Sequence, residues 1–96
     1  MKVKNMTNSN GNKVANQFIV QGEHYGERGE FFQSYNSVIA FIPSGGSSIT
    51  LDSNYWDYSV TTSRYRNQFL NETKKETQKK IDSGEYILAD LNGVAV

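Results

Sequence analysis

Apolar and polar positions alternate with a short period over the first half of the chain, and the period lengthens after residue 60. Residues 14–21 (VANQFIVQ) set β-branched and aromatic side chains at the centre of a polar stretch, which predicts a strand. Residues 30–35 (EFFQSY) repeat the pattern. Between them GEHYGERGE, punctuated by glycine, predicts a long mobile connection joining the two strands as a hairpin. Residues 37–43 (SVIAFIP) are apolar on both alternating faces, as in a central strand covered on two sides, and Pro43 should end it. SGGSS turns the chain and ITLD returns as a short strand.

Further on, Tyr65 and Phe69 stand four apart and so share one helical face, with the segment from Val60 to Ser63 offering hydroxyls for its N-cap. Thr73 and Glu76 match a capping box, which starts a second helix near residues 71–73. Lys79, Lys80 and Gly84 are its stop signals, and EYILADL follows as a last strand. The predicted order is β-β-β-β-α-α-β. This is an α+β fold, an antiparallel sheet of four to five strands with two helices on one face. Residues 1–13 read as a flexible polar arm, 14–92 as a single domain and 93–96 as a tail.

Composition narrows the chemistry. Leu, Ile, Val and Phe total 22 of 96 residues, so the core must recruit Tyr and Trp, whose rings bury large area when the polar tip finds a partner. The absence of cysteine excludes disulfides and thiolate zinc sites. Residues 1–13 are polar and do not read as a signal peptide, and the longest mainly apolar run, residues 38–42, is too short to cross a bilayer. A cytoplasmic protein without membrane contact is expected. The net charge is zero but uneven: residues 1–20 carry +3, 21–60 carry −4, 61–80 carry +4 and 81–96 carry −3. A dedicated duplex binder is usually basic overall; this chain sets one basic element on an acidic body.

Few residues suggest chemistry. His24 is alone, and one imidazole without a second His or any Cys does not make an ordinary zinc site. GEHYGERGE lacks the spacing of a phosphate-cradling loop, and its three glutamates would repel phosphate. No nucleophile–base set is visible, so neither an enzyme nor a cofactor is expected. The cluster Tyr55, Trp56, Tyr58, Tyr65 and Phe69 is either a stacking platform for single-stranded nucleic acid or the corner between sheet and helix. The need for core places Trp56 and Phe69 inside, with Tyr55, Tyr58, Arg64 and Arg66 at the rim of a docking surface. One of the arginines is expected to pair with Asp57 or Asp52. Lys74, Lys75 and Lys79 could contact nucleic acid, or form a solvated face laced with weak pairs, Glu76 with Lys80 and Glu72 with Lys75.

The runs ANQFIV, FFQSYNSVIAF, LDSNYWDYSVTTSRYRNQFL and ETKKETQKKIDSGEYILADLN resemble a group of small proteins encoded by bacteriophages and prophages of Gram-positive bacteria. The resemblance spans residues 14–92, with QGEHYGERGE longer than usual for the group. It implies a small accessory protein that binds a host protein, and counter-defence, including inhibition of CRISPR nucleases such as Cas9, is the implied role. On that expectation Glu23, Glu27 and Glu30 cluster in one exposed loop beside Tyr25 and occupy a basic groove of the partner. The alternatives are a nucleic-acid-binding module using the basic helix and a structural interaction domain.

Overall fold

The computed structural model describes residues 2–93. It is the expected α+β fold, with one strand more than the pattern predicts. Six strands, β1 (Val3–Thr7), β2 (Lys13–His24), β3 (Glu27–Ser34), β4 (Ser37–Pro43), β5 (Thr50–Asp52) and β6 (Ile87–Ala89), form one sheet in chain order. The helices α1 (Val60–Leu70) and α2 (Lys74–Asp82) make the crossover between β5 and β6, which pair in parallel; every other pair is antiparallel.

The expected flexible arm is therefore corrected. Residues 3–7 pair with β2, and the polar run after them is a built turn: the Asn8 carboxamide oxygen accepts from the amides of Asn10 and Asn12, while Gly11 takes φ +80°. Met6 on this strand is 3% exposed, a core residue. The tail expected at 93–96 lies, beyond Gly93, outside the described residues.

Cross-strand partners share a face, so the register sorts the sheet. Ile19, Phe32, Ala40, Leu51 and Leu88 align on one side. There Tyr65, Phe69, Leu70 and Ile81 of the two helices meet them, with Phe69 stacked 5.7 Å from Phe32. Val3, Val20, Phe31, Phe41, Thr50 and Ile87 align on the opposite side. β4 is buried on both faces as its sequence predicts: Ile39, Ala40 and Phe41 are at most 1% exposed. A bulge leaves Ile39 outside the β3–β4 ladder, and next to it the Asn92 carboxamide bonds both N–H and C=O of Val38.

Helix termini follow side-chain chemistry. Thr73 and Glu76 form the predicted capping box. The N-cap of α1 is Ser59, just ahead of the expected segment; its hydroxyl oxygen accepts from the Thr62 amide, while the Thr62 hydroxyl bonds Ser34 of the sheet. Asn71 ends α1 at φ 57°.

Candidate functional site

The segment read as a long loop is a tight hairpin. β2 and β3 stay paired out to His24 opposite Glu27, leaving Tyr25 and Gly26 as a two-residue turn. Both have positive φ, 51° and 78°, which is the left-handed pair that a type I′ turn requires. Asn or Asp normally fills the first of these positions, since a larger L-residue pays about 1–2 kcal/mol there. Tyr25 nevertheless occupies it with 95% of its surface exposed.

Strand alternation divides the expected acidic cluster. Glu23 and Glu30 stand on the helix-facing side of the sheet, where Arg28 is the cross-strand partner of Glu23. Shallow grooves there also bring Lys2 beside Glu23 and Lys4 beside Glu30, so the surface is of mixed sign. Glu27 is on the other face and accepts a hydrogen bond from the Ser47 hydroxyl in the β4–β5 connection. The three carboxylates thus do not form one patch, because neighbouring residues of a strand point to opposite sides.

What the hairpin does build lies on the face away from the helices. His24, Tyr25 and Glu27 form one wall of a cleft of about 460 Å³. Ser47, Ser48 and Thr50 bridge it to Ile87 and Ala89 of β6. Beneath the tip, the rings of Phe31 and Phe41 lie 4.6 Å apart, and His24 is 5.3 Å from Phe41. The cleft joins the apolar side chains of Ile87 and Ala89 to one carboxylate, one imidazole, a projecting phenol and three hydroxyls. His24, Ser47, Thr50, Ile87 and Ala89 were not singled out as contact residues by sequence; only the Tyr-Gly pair hinted at the turn that gathers them.

The other candidates disperse. Arg66, expected at a rim, is fully buried, a correction. Its guanidinium donates to the Trp56 carbonyl at 2.6 Å, to Asp57 at 3.0 Å and to Asn67 at 2.8 Å, and lies 5.1 Å from the Trp56 ring. An acceptor set of this kind lets a cation leave water. Asp57 is thus the partner of an arginine, as expected. Trp56 and Phe69 pack against the core, as does Tyr55, whose ring meets that of Tyr58 at 5.2 Å; Tyr58 is 47% exposed. Arg64, Lys75 and Lys79 are exposed, whereas Lys74 pairs with Asp57 at 2.7 Å. Glu72 pairs with Lys80, not Lys75, because Tyr86 and Thr77 also converge on its carboxylate.

Burial raises the Asp57 carboxyl, but hydrogen bonds from Lys74, Ser63 and Arg66 outweigh it and bring the group down to about 2. Glu72 is lowered in the same way, burial being overcome by Lys80, Tyr86 and Thr77. A depressed carboxyl stabilises the fold above its unfolded value, and that stabilisation fades as pH falls to the folded value. The thermal midpoint is therefore expected to drop between pH 3.8 and about 2. Asp57→Asn should start lower and fall less over that window in a calorimetric pH series. A variant that tracks the native profile would remove Asp57 as the cause.

Among the described residues no group of three or more His, Cys, Asp or Glu is placed to hold a metal ion, and no helix is long and apolar enough to cross a membrane. The fold and site together define a small α+β module with a hairpin tip beside a sheet-face cleft. The chain belongs to the family of unknown function DUF8033, whose model matches residues 1–85. No curated protein and no solved structure matches it.

Proposed function

We propose that this chain is a non-catalytic binding module that docks a partner protein through the β2–β3 hairpin tip, with Tyr25 as the anchor and Glu27 and the cleft beside it. The observation that carries the reading is Tyr25 itself, an aromatic ring 95% exposed at φ 51°. It gains little burial there and its backbone is strained, so the residue works against the fold. Strain retained at an exposed position is the pattern of a contact site. Tyr is also among the residues enriched at interface hot spots. The phage resemblance makes a host-defence protein, such as a CRISPR nuclease, the partner class to test first.

Tyr25→Asn separates binding from folding. Asn suits the left-handed position, so the variant is expected to gain about 0.5–1 kcal/mol in urea unfolding. A hot-spot loss of about 2 kcal/mol would weaken partner binding roughly 30-fold. The measurement is capture from a nuclease-treated bacterial lysate by the native chain and by the variant, followed by titration of the captured protein. In a nuclease-inhibition assay the variant should be correspondingly weaker. Equal affinity of the two chains would end the proposal.

A further inference from the structure

We infer that the cleft beside the hairpin tip receives an arginine side chain of the partner protein, its guanidinium on the Glu27 carboxylate and against the Tyr25 ring. The inference rests on the docking reading above and names the chemistry that the cleft recognises in the partner.

Charge sets the class of occupant. Glu27 is the one carboxylate in the lining of the cleft, which holds neither lysine nor arginine. Among the described residues the ion pairs join Arg66 and Lys74 to Asp57 and Lys80 to Glu72, so Glu27 has no cation of its own. Arg28, next to it in the chain, turns to the helix side opposite Glu23. His24 is its cross-strand partner, yet that imidazole makes no ion pair with it. The ring packs instead on those of Tyr25 and Phe41, with centroids 4.5 and 5.3 Å away. The Ser47 hydroxyl takes up only Oε2 of Glu27 and leaves Oε1 to solvent or a ligand. A protein docking over the hairpin tip strips water from this carboxylate. A buried carboxylate needs a paired charge, and here the partner has to bring it.

The rest of the lining favours arginine over lysine. Tyr25 is 95% exposed, so the faces of its ring are open to stacking. A guanidinium is planar and can lie on such a face while its edge donates to a carboxylate. The hydroxyls of Ser48 and Thr50 add acceptors for its remaining N–H groups. Ile87, 48% exposed, and Ala89 give the methylene stem an apolar wall. An ammonium is a compact, strongly hydrated point charge and uses less of this arrangement.

The probe is N-acetyl-arginine N-methylamide, titrated into the isotope-labelled full chain and followed through its backbone amide shifts by NMR. Saturable shifts are expected at Tyr25, Gly26, Glu27 and Ser48, with a Kd on the order of 1 mM for one side chain alone. The citrulline analogue keeps the shape and drops the charge; it should bind at least about tenfold more weakly, and so should the lysine analogue. Glu27→Gln can still accept from Ser47, so it should hold the thermal midpoint and lose at least about tenfold in affinity for the arginine probe. If that variant fails to fold, the citrulline comparison on the native chain carries the test. No saturable shift, citrulline bound as well as arginine, or lysine bound as tightly as arginine overturns the inference. Partner capture keeps the two readings apart. A probe that does not bind, with Tyr25→Asn still weakening capture, sinks the arginine and spares the hairpin. A probe that binds through Glu27, with Tyr25→Asn capturing the partner as the native chain does, sinks the hairpin and spares the cleft.

Discussion

Replacing Arg66 with alanine is expected to cost about 3–4 kcal/mol of folding free energy. Truncating one member of a buried ion pair typically costs 3–5 kcal/mol, largely through the charge left behind. Here Asp57 is 23% exposed and keeps Lys74 at 2.7 Å and the Ser63 hydroxyl at 2.6 Å, so its charge is not stranded. That argues for the lower half of the range. Against this, the side chain is fully buried, so its loss opens a void, and the Trp56 carbonyl and Asn67 lose a donor. A domain of 96 residues has only about 5–15 kcal/mol in total, so the loss is a large share of it and the thermal midpoint should fall by about 12–32 °C. Lysine is not an adequate substitute, since one ammonium cannot reproduce a planar fork serving three acceptors. Arg66→Lys should fall between the native chain and alanine in urea unfolding. A cost below about 1 kcal/mol for alanine would mean that the guanidinium is incidental to the packing of Trp56 against α1.

The sequence was most legible where a residue's chemistry is local. The Thr73–Glu76 box, the stop at Gly84, the end of β4 at Pro43 and the doubly covered Ile39–Ala40–Phe41 run need only neighbours in the chain to be read. β1 was obscured because its five residues, VKNMT, hold only two apolar side chains, three apart and so off the period of a strand, and only pairing with β2 gives Met6 something to bury against. The hairpin itself was legible, but its tight turn was missed for a related reason. Gly22 faces Gly29 across the strands, so the period-2 signal vanishes where the ladder continues, and Tyr is an unusual residue for the turn. Arg66 looked like surface because charge in a helix usually is; two of its three acceptors come from residues about ten positions earlier, brought near by the chain reversal before α1. The cleft was invisible from any one segment. Its walls come from β2, β3, the β4–β5 connection and β6, residues more than 60 apart in sequence.

Gly29→Ala should be the second severe substitution, costing about 3 kcal/mol. A β-carbon at position 29 would stand 2.3 Å from the Ile42 carbonyl oxygen and 2.7–2.8 Å from the Phe41 ring. Overpacking ordinarily costs 1–3 kcal/mol, and the upper end applies where backbone must move. The Phe41 ring lies over this glycine as an aromatic cover for a missing side chain; it is 1% exposed although its face of the sheet carries no helix. Phe41→Leu in the same chain would remove the ring contact but not the carbonyl, so the double variant should recover about 1 kcal/mol of coupling and no more. Gly45→Ala is the control, because its added carbon meets only the Glu27 carboxylate at 3.7 Å, an ordinary contact; its effect should stay within about 0.5 kcal/mol. If Gly29→Ala also stays within that margin, the strands can slide apart more readily than the register implies. The hairpin tip would then not be held rigidly enough to present Tyr25 beside the cleft.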